Sequence, residues 1–193
     1  MGESYEGTYT CFANPPGARF NWDRYPACTS DLFAHLIHEH QLGFHNLVTL
    51  ALYRARDGLL SGGGEVREQD RPSLQEVALK LVRYMLFQGE AALPSGGLTA
   101  DPAFIRDFLA RRVAAPSGSS LRDLELKERL FQHRCSYMIY TPGFRALQPV
   151  IKDMILKSLM EALSERGPEE FGYLPASEKR AILRILRETG VLG

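Results

Sequence analysis

Between Ser30 and about Asp57 the apolar positions Leu32, Phe33, Leu36, Ile37, Phe44, Leu47, Val48 and Ala51 return every third or fourth residue, with His40 in the same register. That spacing predicts an amphipathic helix. Ser30 is placed to cap it and Asp31 to sit in its first turn, with a stop before Gly58. After the loop SGGGEVREQD, Pro72 takes a first-turn position and opens a helix to about Gln88 through Leu74, Val77, Leu81, Met85 and Leu86. Asp101-Pro102 starts a short helix ending near Arg112. Ser119 or Ser120 is placed to cap a helical segment from Leu121 to Leu130. RCSYMIYTPGF reads as a buried extended piece, or as part of a helix ended by Thr141-Pro142. Pro149 opens a helix over Val150 to Ser164. Ser177 caps the last one, Glu178 to Glu188, which Gly190 stops.

Residues 1–29 carry no period. NPPGARFNWDRYP is rich in proline and aromatic residues and reads as an irregular arm. Neither an internal repeat nor an alternation long enough for a sheet occurs. The expected fold is therefore all-α: one helical domain over 30–193, of six or seven helices, preceded by the arm.

Composition narrows the function classes. The 193 residues suffice for one domain with a core. With 23 basic and 23 acidic residues, formal net charge is zero, and no basic stripe points to nucleic acid. No apolar run reaches the length of about 18 residues that suggests a membrane span. The first residues lack the basic and apolar regions of a signal peptide. MGESYE begins like a myristoylation site but has Glu6 where Ser or Thr is needed. Of the three cysteines, Cys11 and Cys28 flank the arm's loop and are either a disulfide or two reduced thiols. Cys135 is left single, and no C-x-x-C-H is present to attach a haem.

The candidate chemistry lies in HLIHEHQLGFHN, which holds four of the five histidines. At about 100° per residue, His40 falls in the middle of the apolar face, His38 and His45 fall almost opposite, and His35 and Glu39 lie at a border. A π-bulge at Gly43 would bring His40 and His45 onto one face. A buried histidine needs partners for both ring nitrogens. Three readings follow: a core residue bonded to a carbonyl and a nearby side chain, a metal or haem-iron ligand oriented through its second nitrogen, or an acid/base. Glu90, after VRYMLFQG, is placed to receive a histidine N–H or a loop amide, or else sits at a solvated helix end. Cys135 and Tyr137 lie in HRCSYMIY, where a buried thiol is the plain expectation, and His133 reads as exposed. The motifs H-E-x-x-H, G-x-S-x-G, G-x-G-x-x-G, the P-loop and paired E-x-x-H are all absent.

TSDLFAHLIHEHQLGFHNLVTLALYRARDG, VRYMLFQGEAAL, DPAFIRDFLAR, SLRDLELKERLFQHRCSYMIYTPGFRAL and LPASEKRAILRILRETG together resemble the C-terminal region of large, uncharacterised planctomycete-type bacterial proteins that carry an upstream c-type haem (C-x-x-C-H) segment. The resemblance runs from about Thr29 onward. It singles out elements like Glu39, His40, His45 and Asn46, like Glu90, and like Cys135-Ser136-Tyr137. It implies export to the periplasm or cell envelope, a Cys11–Cys28 disulfide in that setting, and a cytochrome-like domain as partner. This chain lacks the C-x-x-C-H, as a detached module or one that has lost its haem-bearing part would.

The expected function is a non-enzymatic helical module associated with redox, haem or metal binding. His40 and His45 are the cofactor ligands in question, with His40, Glu39 and Glu90 as the set for a divalent metal. The alternatives are a structural or protein-interaction domain without cofactor, and an enzyme pairing His40 with Glu90 or Cys135.

Overall fold

A computed structural model of the chain describes residues 9–11 and 29–192. Two short strands, β1 (Tyr9–Cys11) and β2 (Thr29–Asp31), pair antiparallel with Tyr9 opposite Asp31. Six α-helices follow: α1 (Leu32–Ser61), α2 (Arg71–Met85), α3 (Pro102–Ala110), α4 (Pro142–Arg145), α5 (Pro149–Ala162) and α6 (Ala176–Glu188). The fold is all-α, as the periodicity predicts. Cys28 lies outside the described residues, and the expected Cys11–Cys28 pairing with it.

Three helix starts follow proline chemistry. Pro72, Pro102 and Pro149 each stand in a first turn, where the missing N–H costs no hydrogen bond. The start of α1 lies one residue later than Ser30 predicts. Asp31 is the cap: its Oδ1 accepts from the amides of Phe33 at 2.8 Å and Ala34 at 3.3 Å. Its other oxygen accepts the Asp101 amide at 2.7 Å, so one carboxylate ties the start of α1 to the start of α3. The end of α1 lies later too. Gly58 does not stop the helix but is buried within it, and Gly62 closes it. Tertiary packing outweighs the cost of about 1 kcal/mol for a mid-helix glycine. The cap of α6 is Pro175 rather than Ser177.

The segment 121–130 is the clear departure, because it is not helical. Ser120 and Leu124 form isolated bridges to Ala114 and Phe131. A tight turn is closed by the Glu125 amide on the Leu130 carbonyl at 3.0 Å and the Leu126 amide on the Arg129 carbonyl at 2.8 Å. The Glu125 carboxylate gathers the amides of Lys127, Glu128 and Arg129 at 3.2, 2.8 and 2.9 Å, which holds its carboxyl below the usual range. A side chain that satisfies three backbone donors locally removes the reason to form a helix there. In RCSYMIYTPGF the stretch Cys135–Ile139 is buried, as expected, but the segment folds as a 3₁₀ turn over Tyr137–Tyr140 leading into α4, which Thr141 caps.

Helix α2 lies against both α1 and α5. The core runs continuously through Phe33, Phe44, Leu81, Met85, Phe131, Ile139, Ile151 and Ile185. Phe33 receives the edges of Phe104 and Phe108 from α3 at 5.6 and 5.7 Å between ring centres. Among the described residues no helix is long and apolar enough to cross a membrane.

Candidate functional site

His40 projects from α1 into the interior and is 7% exposed. The apolar face of the helix wheel sets that direction, and α1 is α-helical throughout, without a π-bulge at Gly43. His35, His38 and His45 are exposed on its other faces. His40 and His45 are therefore not brought together as a ligand pair.

The interior partner of His40 comes from 96 residues away. Its Nε2 lies 2.7 Å from the Ser136 hydroxyl. Two bonds fix Ser136: its amide donates to the Met85 carbonyl at the end of α2 at 2.8 Å, and its Oγ accepts the Met138 amide at 3.2 Å. The Ser136 hydroxyl, with a second lone pair free, has both an O–H to donate to an unprotonated Nε2 and an acceptor for a protonated one, and the ring tautomer sets the sense of the bond. Nδ1 has no hydrogen-bond partner among the described residues.

Aromatic rings surround the imidazole. Phe87 and Tyr84 stack parallel to it at 4.7 and 5.4 Å, and Tyr137 and Phe131 lie tilted at 6.1 and 6.3 Å. Burial among apolar rings disfavours the charged form and lowers the His40 pKa to about 4. The ring is neutral at pH 7.

Two backbone features shape the wall around it. Gly43 admits the Tyr84 phenol, because a β-carbon there would collide with the hydroxyl oxygen. The phenol donates to the His40 carbonyl at 3.1 Å. Phe87 has a φ of +56°, a left-handed conformation that a bulky residue rarely adopts, and it turns the chain at the end of α2. Neither feature has a periodic signature, and the helix wheel missed both.

Between α1 and the 87–93 loop opens a cleft of about 560 Å³. His40, Tyr84 and Phe87 form one side, Leu36, Leu93 and Leu130 add apolar surface, and Glu39, Asn46 and Glu90 are polar members. Among the described residues no Lys or Arg lines it. Glu90 is half-buried at the seam with a second depression that holds Arg129 and Arg134. Burial pushes its carboxyl up, against the pull of the Leu130 amide and of Arg134 and Arg129. Glu90 makes no hydrogen bond to His40.

The remaining candidates are structural in their contacts. Cys135 is fully buried, and burial pushes its thiol up to about 12, which removes the thiolate a nucleophile needs. The Tyr137 hydroxyl accepts from the Gln41 amide at 2.8 Å. His133 is half-buried, not exposed, and burial lowers its pKa.

The residues do not fit a metal. Among the described residues no group of three or more His, Cys, Asp or Glu could hold an ion, so His40, Glu39 and Glu90 do not form a ligand set. Nε2 of His40 is directed at a hydroxyl with no exposure, which leaves no space for haem iron on that nitrogen.

Below the cleft, Arg134 and Glu178 form an ion pair at 2.7 Å, with the Arg134 amide also donating to Glu178 at 2.8 Å. Burial raises the Glu178 pKa, but the Arg134 bonds outweigh it and hold the carboxyl below its usual value. This pair fastens α6 to the segment that carries Ser136. Comparison of the chain with protein-family models, with curated proteins and with solved structures finds no match.

Proposed function

We propose that this chain is a non-enzymatic helical binding module whose working surface is the His40 cleft, and that the cleft takes an organic cation with an apolar body. The observation that carries this reading is the lining: two carboxylates, Glu39 and Glu90, beside Tyr84 and Phe87, with no basic side chain among the described residues that line it. Ring faces attract cations, and the half-buried Glu90 carboxylate gains from a counter-charge, to which the exposed Glu39 adds a second negative charge. The volume suits a small ligand. His40 serves as a neutral wall, held by Ser136, rather than as a base. With its pKa near 4 it is a weak proton acceptor at neutral pH.

The resemblance to proteins with an upstream haem segment supports an envelope setting and a cytochrome-like partner domain. A lysine or arginine presented by such a partner has the chemistry of the free cation. No step is assigned to iron, because Nε2 of His40 already faces the Ser136 hydroxyl.

The test is an NMR titration of the full chain with benzylamine, with benzyl alcohol as the neutral control. Benzylamine should shift the His40, Tyr84 and Phe87 ring signals saturably and benzyl alcohol far less, and Glu90→Gln should weaken the response several-fold. Equal response to both compounds, or none to either, refutes the reading.

A further inference from the structure

On the other side of α1 lies a separate cleft of about 440 Å³, bordered by Ile37, His38, Gln41, Phe104, Phe108, Asp107, Arg111 and Arg122. Its chemistry is the reverse of the His40 cleft. The Arg122 guanidinium is held in place: it lies over the Tyr137 ring at 4.4 Å and the Phe108 ring at 4.8 Å. Its Nη1 donates to the Phe108 carbonyl at 2.8 Å. A guanidinium carries five N–H donors, and this one uses a single donor in that bond. Among the described residues neither Arg122 nor Arg111 lies within 4.0 Å of a carboxylate.

We propose that this cleft is a binding site for a small carboxylate with an apolar body, held in the fork of Arg122 and assisted by Arg111. Arginine matches the planar, two-oxygen geometry of a carboxylate, and stacking has already fixed its orientation before a ligand arrives. The apolar body has Ile37, Phe104 and Phe108 to lie against. Asp107 borders the same cleft, so Arg111, Arg122 and Asp107 together carry a formal charge of one positive unit. That favours a monoanion over a phosphate dianion. Burial lowers the Arg122 pKa, and a bound carboxylate would supply the counter-charge that the half-buried guanidinium lacks among the described residues.

Arg122 also braces the 121–131 turn against α3, so its replacement perturbs the fold as well. Arg111 is exposed and separates the two roles. The full chain is titrated with sodium benzoate and, in parallel, with inorganic phosphate, following the arginine Nε–H signals by NMR. Benzoate should shift the Arg122 signal saturably and phosphate should shift it much less. Arg111→Gln should weaken benzoate binding several-fold without changing Tm, and Arg122→Lys should abolish it. No saturable shift with benzoate, benzoate affinity unchanged in Arg111→Gln, or a phosphate response as strong as that of benzoate each overturns the proposal. The Arg122 Nε–H signal reports here and the His40, Tyr84 and Phe87 ring signals there, so failure at this cleft leaves the His40 cleft untouched.

Discussion

Lowering the pH from 8 to 5 should destabilise the protein through His40. In the unfolded chain a histidine titrates near 6.5, whereas burial holds His40 at about 4 in the folded protein. Below pH 6.5 the unfolded chain therefore binds a proton that the folded chain refuses. Stability contributed by neutral burial is complete above 6.5, falls through the window down to 4, and is constant below it. The difference of about 2.5 units corresponds to roughly 3 kcal/mol over the whole window, and about 2 kcal/mol of it is lost by pH 5. The ring is nearly inaccessible, so solvent screening removes little of this. His133 is also lowered by burial and adds a loss of the same sign. Glu90 is raised and opposes both, since its protonation at low pH favours the fold. A difference between variants isolates His40. His40→Gln keeps a polar partner for the Ser136 hydroxyl but does not titrate. Urea unfolding followed by circular dichroism at pH 8 and pH 5 should show the wild type losing about 2 kcal/mol more than the variant. Equal losses in the two proteins, or a His40 ring signal that titrates near 6.5, would refute the burial argument.

Gly43→Ala should break the close seat of Tyr84 on α1 and cost about 1–3 kcal/mol, the range for forcing extra volume into a packed contact. Thermal unfolding measures it, and a Tyr84→Phe background should recover only part of the loss, because the ring carbon that carried the hydroxyl would still lie 2.6 Å from the added β-carbon. Cys135 should resist iodoacetamide at pH 8 in the native protein and react only in urea, since its thiol is fully buried with a pKa near 12. Rapid alkylation of the native protein, followed by mass spectrometry, would contradict that.

The parts of the fold that the sequence made legible are those decided by neighbours in the chain. The stripe of α1, the prolines opening α2, α3 and α5, and the inward direction of His40 all follow from spacing within a few turns. Segment 121–130 escaped for the opposite reason. Its leucines have a passable helical spacing, but Glu125 bonds three amides ahead of it, and that competition does not appear in an apolar count. Arg122 was lost with it. Read as one position on a helix face, it gave no sign of lying over Phe108 and Tyr137. Ser136 is a similar case: 96 residues separate it from His40, and no local pattern links a serine to a distant imidazole.

Phe87 shows the competition most directly. Every local rule places glycine at a left-handed position that ends a helix, because a side chain there costs roughly 1–2 kcal/mol. The next two residues, Gln88 and Gly89, would have allowed the turn to fall one or two positions later, and Gly89 is itself left-handed with a φ of +75°. The chain nonetheless turns at Phe87. The ring so placed stacks on His40 at 4.7 Å and meets Phe131 at 5.5 Å. Aromatic pairs contribute about 0.5–1.5 kcal/mol beyond their burial, so the two contacts offset the backbone cost. The strain also serves the cleft: a later turn would carry the ring away from His40 and open the imidazole to water, and its pKa would rise toward the ordinary value. The low basicity of His40 and the aromatic wall of the cleft thus both draw on a backbone conformation that the residue itself disfavours.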